Sequence, residues 1–236
     1  MRNGGDGWSG LFIGIGIFLG ALMLKAGITS IKESQRIISV KGLSEKEVSA
    51  NKVVWPIVFK DAQNNLIYLY NNIERNNEKV VNFLKENGIT DDEITVSPPD
   101  ILDYQTERYS DLQSRYRYNG TSVITVTSDK VDQVRELILQ ITVLIKDGVA
   151  LSGNRSYENP IKYEFTQLNL IKPEMIEEAT KNARISAEKF AKDSESSLGK
   201  IKSATQGQMS IFNSDENSPH IKTVRVVTTI TYFLKD

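Results

Sequence analysis

The sequence predicts an α+β protein, in which an N-terminal transmembrane or signal-anchor helix precedes a domain of largely antiparallel strands packed with three main helices. Three observations predict this class. Residues Leu11–Leu24 form an unbroken apolar run that does not recur. Three later segments have apolar residues at helical spacing, and each is followed by a glycine. Many β-patterned segments follow one another directly, which favours antiparallel pairing over a doubly wound parallel sheet.

The apolar run is the first predicted element. With its flanks it has about the 20 residues that a helix needs to cross a hydrocarbon core. A cleaved signal peptide is the alternative, although the best cleavage position follows Ala26 and has the bulky Leu24 as the third residue before the cut. Basic residues lie on both sides of the run, so charge does not orient it. The anchoring side chains are expected to be Leu11, Phe12, Ile13, Ile15, Ile17, Phe18, Leu19, Leu22 and Leu24.

Length and composition limit how many domains the rest of the chain can form and which chemistry it can carry. About 200 residues follow the first three dozen, which is enough for one large domain or two closely packed halves. Lys and Arg number 29 and Asp and Glu number 30, a balance that argues against nucleic-acid binding. The chain has no cysteine, which excludes disulfides and thiolate chemistry. We therefore expect residues 1–36 to form the anchor (or signal peptide) and linker, and residues 37–236 to form the domain.

The domain is predicted to begin with two strands, Ile37–Gly42 and Glu47–Lys60, the second rich in Val, Ile, Trp and Phe. Asp61 is expected to cap a helix that runs to Asn87, and Gly88 is expected to end it. The buried stripe of this helix is predicted to be Leu66, Leu69, Ile73, Val80 and Leu84.

The middle of the domain is predicted to hold strands Ile94–Asp103 and Arg115–Thr127 and a second helix. Ser128 or Asp129 is expected to cap this helix, and Gly148 follows it. Its apolar residues at helical spacing are Val131, Val134, Leu137, Ile138, Ile141 and Ile145.

A third helix is predicted from near Pro173 to Gly199. Alanines recur on it every four residues and so share one face, which predicts close packing inside the fold, with an oligomer contact as the alternative. These alanines are Ala179, Ala183, Ala187 and Ala191. The remaining predicted strands are Leu151–Ser156, Ile161–Phe165, Lys200–Gln208 and Lys222–Leu234. The predicted core includes Ile73, Leu84, Val134, Ile138, Ile141, Ile176 and Phe190.

Several stretches together resemble the SIMPL-domain family, a domain of unknown function. They are Val40–Val48 (VKGLSEKEV) with Trp55-Pro56-Ile57, the junction from Gly88-Ile89 to Glu93-Ile94, and the third helix Glu178–Ala191 with Leu198–Ile201. The similarity covers about residues 37–234. Many members carry Pro-Asp-x-Ala where this chain has Ser49-Ala50-Asn51-Lys52, so the chain resembles a divergent branch.

The resemblance implies an exported bacterial envelope protein with an α+β fold, a tendency to self-assemble and no established catalytic activity. With the apolar run, it leads us to expect a single-pass protein of the bacterial inner membrane with its domain in the periplasm, or a periplasmic or outer-envelope protein if the N-terminus is cleaved. The expected function is non-enzymatic, through self-assembly as a homo-oligomer or binding of another envelope component. The alternative is a periplasmic small-ligand-binding protein or hydrolase with an unrecognised cleft site.

No catalytic, cofactor-binding or metal-ligating residue is predicted. His220 is the only histidine and follows the polar loop Asn213–Pro219, where exposure is expected, and no Gly-x-Ser-x-Gly elbow supplies a nucleophile for it. The carboxylates of Asp91, Asp92 and Glu93 lack the oxygen spacing of a calcium loop, so a solvated turn is expected.

One segment combines aromatic and basic residues, Asp103–Tyr118. Such residues are enriched at protein interfaces, and they also stack on single-stranded nucleic acid. The neutral net charge disfavours nucleic acid, whereas an ordinary half-buried strand and loop would show the same alternation. The candidate interface residues are Tyr104, Arg108, Tyr109, Arg115, Tyr116, Arg117 and Tyr118.

Overall fold

The computed structural model describes residues 6–33, 36–106, 115–152 and 159–235, with the side chains of the first helix described from residue 10 to 25. The helices are α1 (Asp6–Glu33), α2 (Leu66–Glu86), α3 (Val131–Gln140), α4 (Thr142–Lys146) and α5 (Leu168–Asp193), with a 3₁₀ turn at Asp91–Glu93. The strands are β1 (Ile37–Ser49), β2 (Lys52–Gln63), β3 (Ile94–Val96), β4 (Asp100–Asp103), β5 (Tyr118–Ser128), β6 (Lys162–Glu164), β7 (Ser197–Gln206), β8 (Ser210–Asn213) and β9 (Ile221–Lys235).

The strands form two sheets. The first sheet has the order β1-β9-β7, with β8 paired to β9, and the second has the order β3-β5-β2-β6, with β4 paired to β5. The pairs β2–β5, β2–β6, β3–β5, β4–β5 and β7–β9 are antiparallel, so the predicted α+β class with antiparallel sheets is confirmed. The chain divides into two compact units, a first of residues 1–46, 169–210 and 224–236, and a second of residues 47–168 and 211–223.

The second unit is built on one face of β2 and β5. Trp55 pairs with Val126 and Ile57 with Ile124, and paired residues point to the same side of a sheet, so alternate side chains of both strands are buried together. Along β5, buried Ser122, Ile124 and Val126 alternate with half-buried Thr121, Val123 and Thr125. Helices α2, α3 and α4 complete this core, together with Ile141, which joins α3 to α4 within the segment predicted as one helix. The helical residues are Leu69, Ile73, Val80, Leu84, Val131, Val134, Leu137 and Leu144.

The glycines after α2 and α4 end these helices as predicted. Gly88 has φ +84 and Gly148 has φ +85, values that side chains disfavour. Ile89 N–H donates to the Leu84 carbonyl at 3.0 Å, and Gly88 N–H donates to Lys85 at 3.0 Å. This pair of bonds is a Schellman motif, and the same pattern recurs at Gly148.

The predicted caps of α2 and α3 were wrong. Asp61 lies inside β2, where it pairs with Gly120, and the N-cap of α2 is Asn65, whose side chain accepts hydrogen bonds from the backbone of Ile67 and Tyr68. The N-cap position of α3 is Lys130, which makes no side-chain cap bond, although its backbone N–H donates to Ser128 Oγ. The predicted strand Ile94–Asp103 is divided, because Pro98 and Pro99 separate β3 from β4, and β8 was not predicted.

The first unit packs α5 against its sheet through the predicted alanine face. Ala179, Ala183, Ala187 and Ala191 are all buried, which confirms their orientation toward the core. The helix approaches so closely that a Cβ on Gly42 would overlap the carbonyl oxygen of Ala179 and the amide nitrogen of Ala183. Glycine in β1 and alanine on α5 are therefore both needed for this short distance.

The predicted ends of α5 were wrong. The helix begins at Leu168, with Pro173 inside it, and ends at Asp193. Glu195 adopts φ 54 and Ser196 N–H donates to the Ala191 carbonyl, so a non-glycine residue closes this helix in the manner of a Schellman motif. Gly199 lies in β7, where a Cβ would come within 2.7 Å of the Phe233 carbonyl oxygen.

Four residues that were predicted to be buried differ from expectation. Leu66 of α2 is 44% exposed, and Ile138 of α3 is only half-buried. Phe190 is 61% exposed, because the buried face of α5 is the alanine face and position 190 lies off it. The large buried side chain of this helix is Met175, and the neighbouring Ile176 is only half-buried.

Helix α1 contains the apolar run. In the part of the chain that the structure describes, no helix has both the length and the apolar character that a membrane crossing requires. The transmembrane helix predicted at Leu11–Leu24 is therefore not confirmed. The large apolar side chains of α1 from Leu11 to Leu24 are all exposed.

Candidate functional site

Arg117 is held within the predicted interface segment by a bidentate ion pair with Asp103, at the end of the β4–β5 pairing. Arg117 Nη2 donates to Asp103 Oδ2 at 2.8 Å and Nε donates to Oδ1 at 3.1 Å. This arginine hydrogen bond is the main reason why the pKa of Asp103 is lowered. The guanidinium also lies 4.8 Å from the ring centre of Tyr118, and the Arg117 backbone N–H donates to Asn64 Oδ1 at 3.0 Å. Arg117 therefore joins β4 and β5 to the turn before α2.

The other candidate interface residues differ in their exposure to solvent. Arg115 and Tyr116 are exposed, while Tyr104 is half-buried and its backbone N–H donates to the Arg117 carbonyl at 2.9 Å. Arg108 and Tyr109 lie outside the described residues. An interface on this segment stays a prediction.

The three consecutive carboxylates form the 3₁₀ turn, and one of them has a structural role. Burial would raise the pKa of Glu93, but hydrogen bonds from Ser128, Thr90 and Lys130 outweigh burial and lower it to about 2. Ser128 Oγ donates to Glu93 Oε1 at 2.5 Å, and Lys130 Nζ donates to Oε2 at 3.0 Å. Among the described residues, no group of three or more carboxylate or histidine side chains is arranged to hold a metal ion.

A second group of polar side chains surrounds Lys222, which sequence reasoning did not select. Lys222 is only 8% exposed, and its Nζ donates to Asn213 Oδ1 at 2.5 Å. Burial lowers the pKa of Lys222, and the charge of Glu164 opposes this shift. A signal for this position exists in the sequence, because Lys222 continues the inward alternation of Val224, Val226 and Thr228 along β9.

His220 lies beside this group and is half-buried, not exposed as expected. Its ring meets that of Tyr163 edge to face, with centroids 6.2 Å apart. Its carbonyl accepts a hydrogen bond from Ala50 N–H at 2.7 Å, which fixes the backbone here. Burial raises the pKa of Tyr163.

An open depression of about 330 Å³ adjoins Lys222 in the second unit. Its lining combines cationic, acidic and apolar side chains, with Asn213 at the lysine. The members are Pro160, Ile161, Lys162, Tyr163, Glu164, Asn213, Pro219 and Lys222. This arrangement provides one buried cation and an apolar wall, which together suit binding of a small anion with an apolar body.

The comparisons with known proteins agree with the fold. A family model described as SIMPL, protein of unknown function (DUF541), matches residues 38–232, most of the chain. Comparison with curated proteins gives no match. The matched range contains both sheets, the alanine face of α5 and the Lys222 group. The chain therefore belongs to the SIMPL family, as the resemblance of its strand and helix motifs predicted.

Proposed function

We propose that the chain is a non-enzymatic bacterial envelope protein, anchored in the inner membrane by α1 with the rest of the chain in the periplasm, and that it acts by assembling with copies of itself or with another envelope component. The observation that carries the proposal is the exposure of apolar side chains all around α1.

The apolar surface of α1 supports the anchor. Successive residues of a helix point about 100° apart, so Leu11, Phe12 and Ile13 lie on different faces, yet all three are exposed. A helix that buries one stripe against a protein has a polar opposite face, whereas a helix that is apolar all round needs apolar surroundings on every side. Lipid provides such surroundings, at a gain of roughly 25 cal/mol for each Å² removed from water.

Strand β7 supports assembly. In the described part of the chain it pairs with β9 on one side and with no strand on the other. From Lys200 to Gln206 every side chain is exposed, so neither face of this segment is covered. An edge strand presents backbone donors and acceptors that a second strand satisfies by pairing. A second copy of β7 is the proposed partner, since such pairing is two-fold symmetric and anchored copies share one surface at raised local concentration.

The small-ligand alternative has one supporting observation, the depression beside Lys222. The strand β7 and this depression belong to different units.

The anchor is tested by fractionating cells and sequencing the N-terminus of the mature protein. We expect the intact N-terminus in the inner-membrane fraction, and loss of this fraction in Ile17→Arg, because a charge at mid-span costs about 2.5–3.5 kcal/mol on insertion scales. Gly14→Ala is the matched control, since a Cβ there meets no atom within 4 Å. A mature protein that begins near Gly27 would show a cleaved signal peptide and refute the anchor.

A further inference from the structure

We propose that the depression beside Lys222 binds a small organic carboxylate, with the carboxylate on the Lys222 ammonium and the apolar body against Pro160, Ile161 and Pro219. The proposal concerns residues of the second unit alone. It does not depend on assembly, so failure of either proposal leaves the other standing.

Lys222 is buried, and a single side chain accepts a hydrogen bond from its ammonium group in the described part of the chain. An ammonium group has three N–H donors, and burying it without an opposite charge is costly. In the residues that the structure describes, Asn213 is the direct hydrogen-bond partner of Lys222, and it offers one neutral amide oxygen at 2.5 Å. Glu164 attracts the ammonium but makes no ion pair with it within 4 Å in that part of the chain. A carboxylate is the group that complements the remaining donors.

The charge balance around the lysine favours an anion with a single charge. Lys162 and Lys222 contribute two positive charges to the lining, and Glu164 contributes one negative charge. The net charge of one matches a monocarboxylate. A phosphate dianion would exceed it and would be repelled by Glu164. Further titratable groups lie nearby. Tyr163 lines the depression and is influenced by the charge of Arg135, and His220, whose ring packs on Tyr163, interacts with Asp215.

The shape of the depression favours a compact body on that carboxylate. Its volume of about 330 Å³ lies at the lower end of the range for small-molecule sites. Two prolines and an isoleucine line it, and the rigid proline rings keep this apolar wall in place without an ordering cost. A flat or branched apolar group of a few carbons therefore fits better than a long chain.

The test uses the full-length protein in detergent, with benzoate as the probe and benzamide as its neutral counterpart. Saturation-transfer NMR and thermal unfolding report binding. We expect benzoate, but not benzamide, to bind the wild type, and Lys222→Met to weaken benzoate binding by about tenfold or more, since a charge-assisted hydrogen bond is lost. Lys60→Met is the matched control, because Lys60 is an exposed lysine of the same unit, and it should bind benzoate as the wild type does.

A second variant keeps the test independent of folding defects in Lys222→Met. Glu164→Gln removes the carboxylate that competes for the ammonium, so benzoate should bind this variant several times more tightly than the wild type. Inorganic phosphate serves as the competing anion and should bind more weakly than benzoate. The proposal is overturned if the wild type gives no saturation transfer to benzoate, if benzamide or phosphate binds as well as benzoate does, if Lys222→Met binds benzoate unchanged, or if Glu164→Gln weakens binding.

Discussion

Glu93 is the residue whose electrostatics have the clearest consequence for stability. It is half-buried and receives hydrogen bonds from Ser128 Oγ, from Lys130 Nζ, and from both the backbone and the hydroxyl of Thr90. These bonds need the ionised carboxylate, and they tie the turn before β3 to the start of α3. The pKa of Glu93 is about 2 in the folded protein, below its ordinary value of 4.5.

A carboxylate whose pKa is lowered by folding stabilises the protein above its unfolded pKa, and this stabilisation is lost as the pH falls from about 4.5 toward 2. We expect Glu93→Gln to lower the free energy of unfolding at pH 7 by about 1–3 kcal/mol and to make stability less sensitive to acid over this range. Urea unfolding at several pH values measures both effects. Asp92→Asn, at the exposed neighbouring carboxylate, is the control. Equal acid sensitivity in the wild type and Glu93→Gln would contradict the role of Glu93.

The side chains of Met175 and Phe190 give a second prediction. Met175 is buried and Phe190 is mostly exposed, although both are large apolar residues of α5. We expect Met175→Ala to cost about 2–5 kcal/mol of unfolding free energy and Phe190→Ala to cost less than about 1 kcal/mol. Chemical denaturation of the two variants tests which face of α5 is buried. A larger loss of unfolding free energy in Phe190→Ala than in Met175→Ala would refute the described orientation of the helix.

The elements show which parts of the fold can be predicted from sequence. The alternation along β5, the glycines after α2 and α4, and the alanine face of α5 depend on local periodicity or on backbone conformation, and each was predictable. The start of α2 was not, because pairing of β2 with β5 extends to Gln63 and holds Asp61 in the ladder, a tertiary effect that overrides a good capping residue.

The site was less predictable than the fold. Lys222 was missed because a lysine usually predicts a solvated position, and only the structure brings it beside Glu164 and Asn213, residues distant in sequence or on another strand. Arg117 was selected for its type, yet its bond to Asp103 shows a structural role that composition does not reveal.

Helix α5 packs closely on β1 at Gly42. A Cβ on Gly42 would overlap backbone atoms of α5, which cannot move aside as a flexible side chain does. We expect Gly42→Ala to destabilise the protein by at least about 1–3 kcal/mol through overpacking, and Ala183→Leu to act in the same direction. Chemical denaturation measures the effect, with Gly14→Ala as the control. If both variants unfold like the wild type, the helix does not approach the strand as closely as described.

At the scale of the whole molecule, two surfaces of the described residues carry the proposed function: the exposed apolar side chains of α1, proposed to contact lipid, and the edge of β7, proposed to pair with a second copy. The charge pattern of β7 indicates where pairing would occur. Lys200 and Lys202 disfavour pairing along one half of the strand, whereas Ser203–Gln206 carries no charge. Added lysines on the uncharged half should therefore block pairing between copies. The variant Ser203→Lys with Thr205→Lys should shift the protein toward single chains, whereas Gln140→Lys, on the exposed end of α3, should not.

The central claim is that the protein acts as an assembly of identical chains. It is tested most directly by the mass of the full-length protein in a density-matched detergent, measured by sedimentation equilibrium across micromolar concentrations. We predict a mass that is a multiple of one chain, a smaller mass for Ser203→Lys with Thr205→Lys, and an unchanged mass for Gln140→Lys. A wild-type protein that sediments as a single chain at every concentration would contradict the claim.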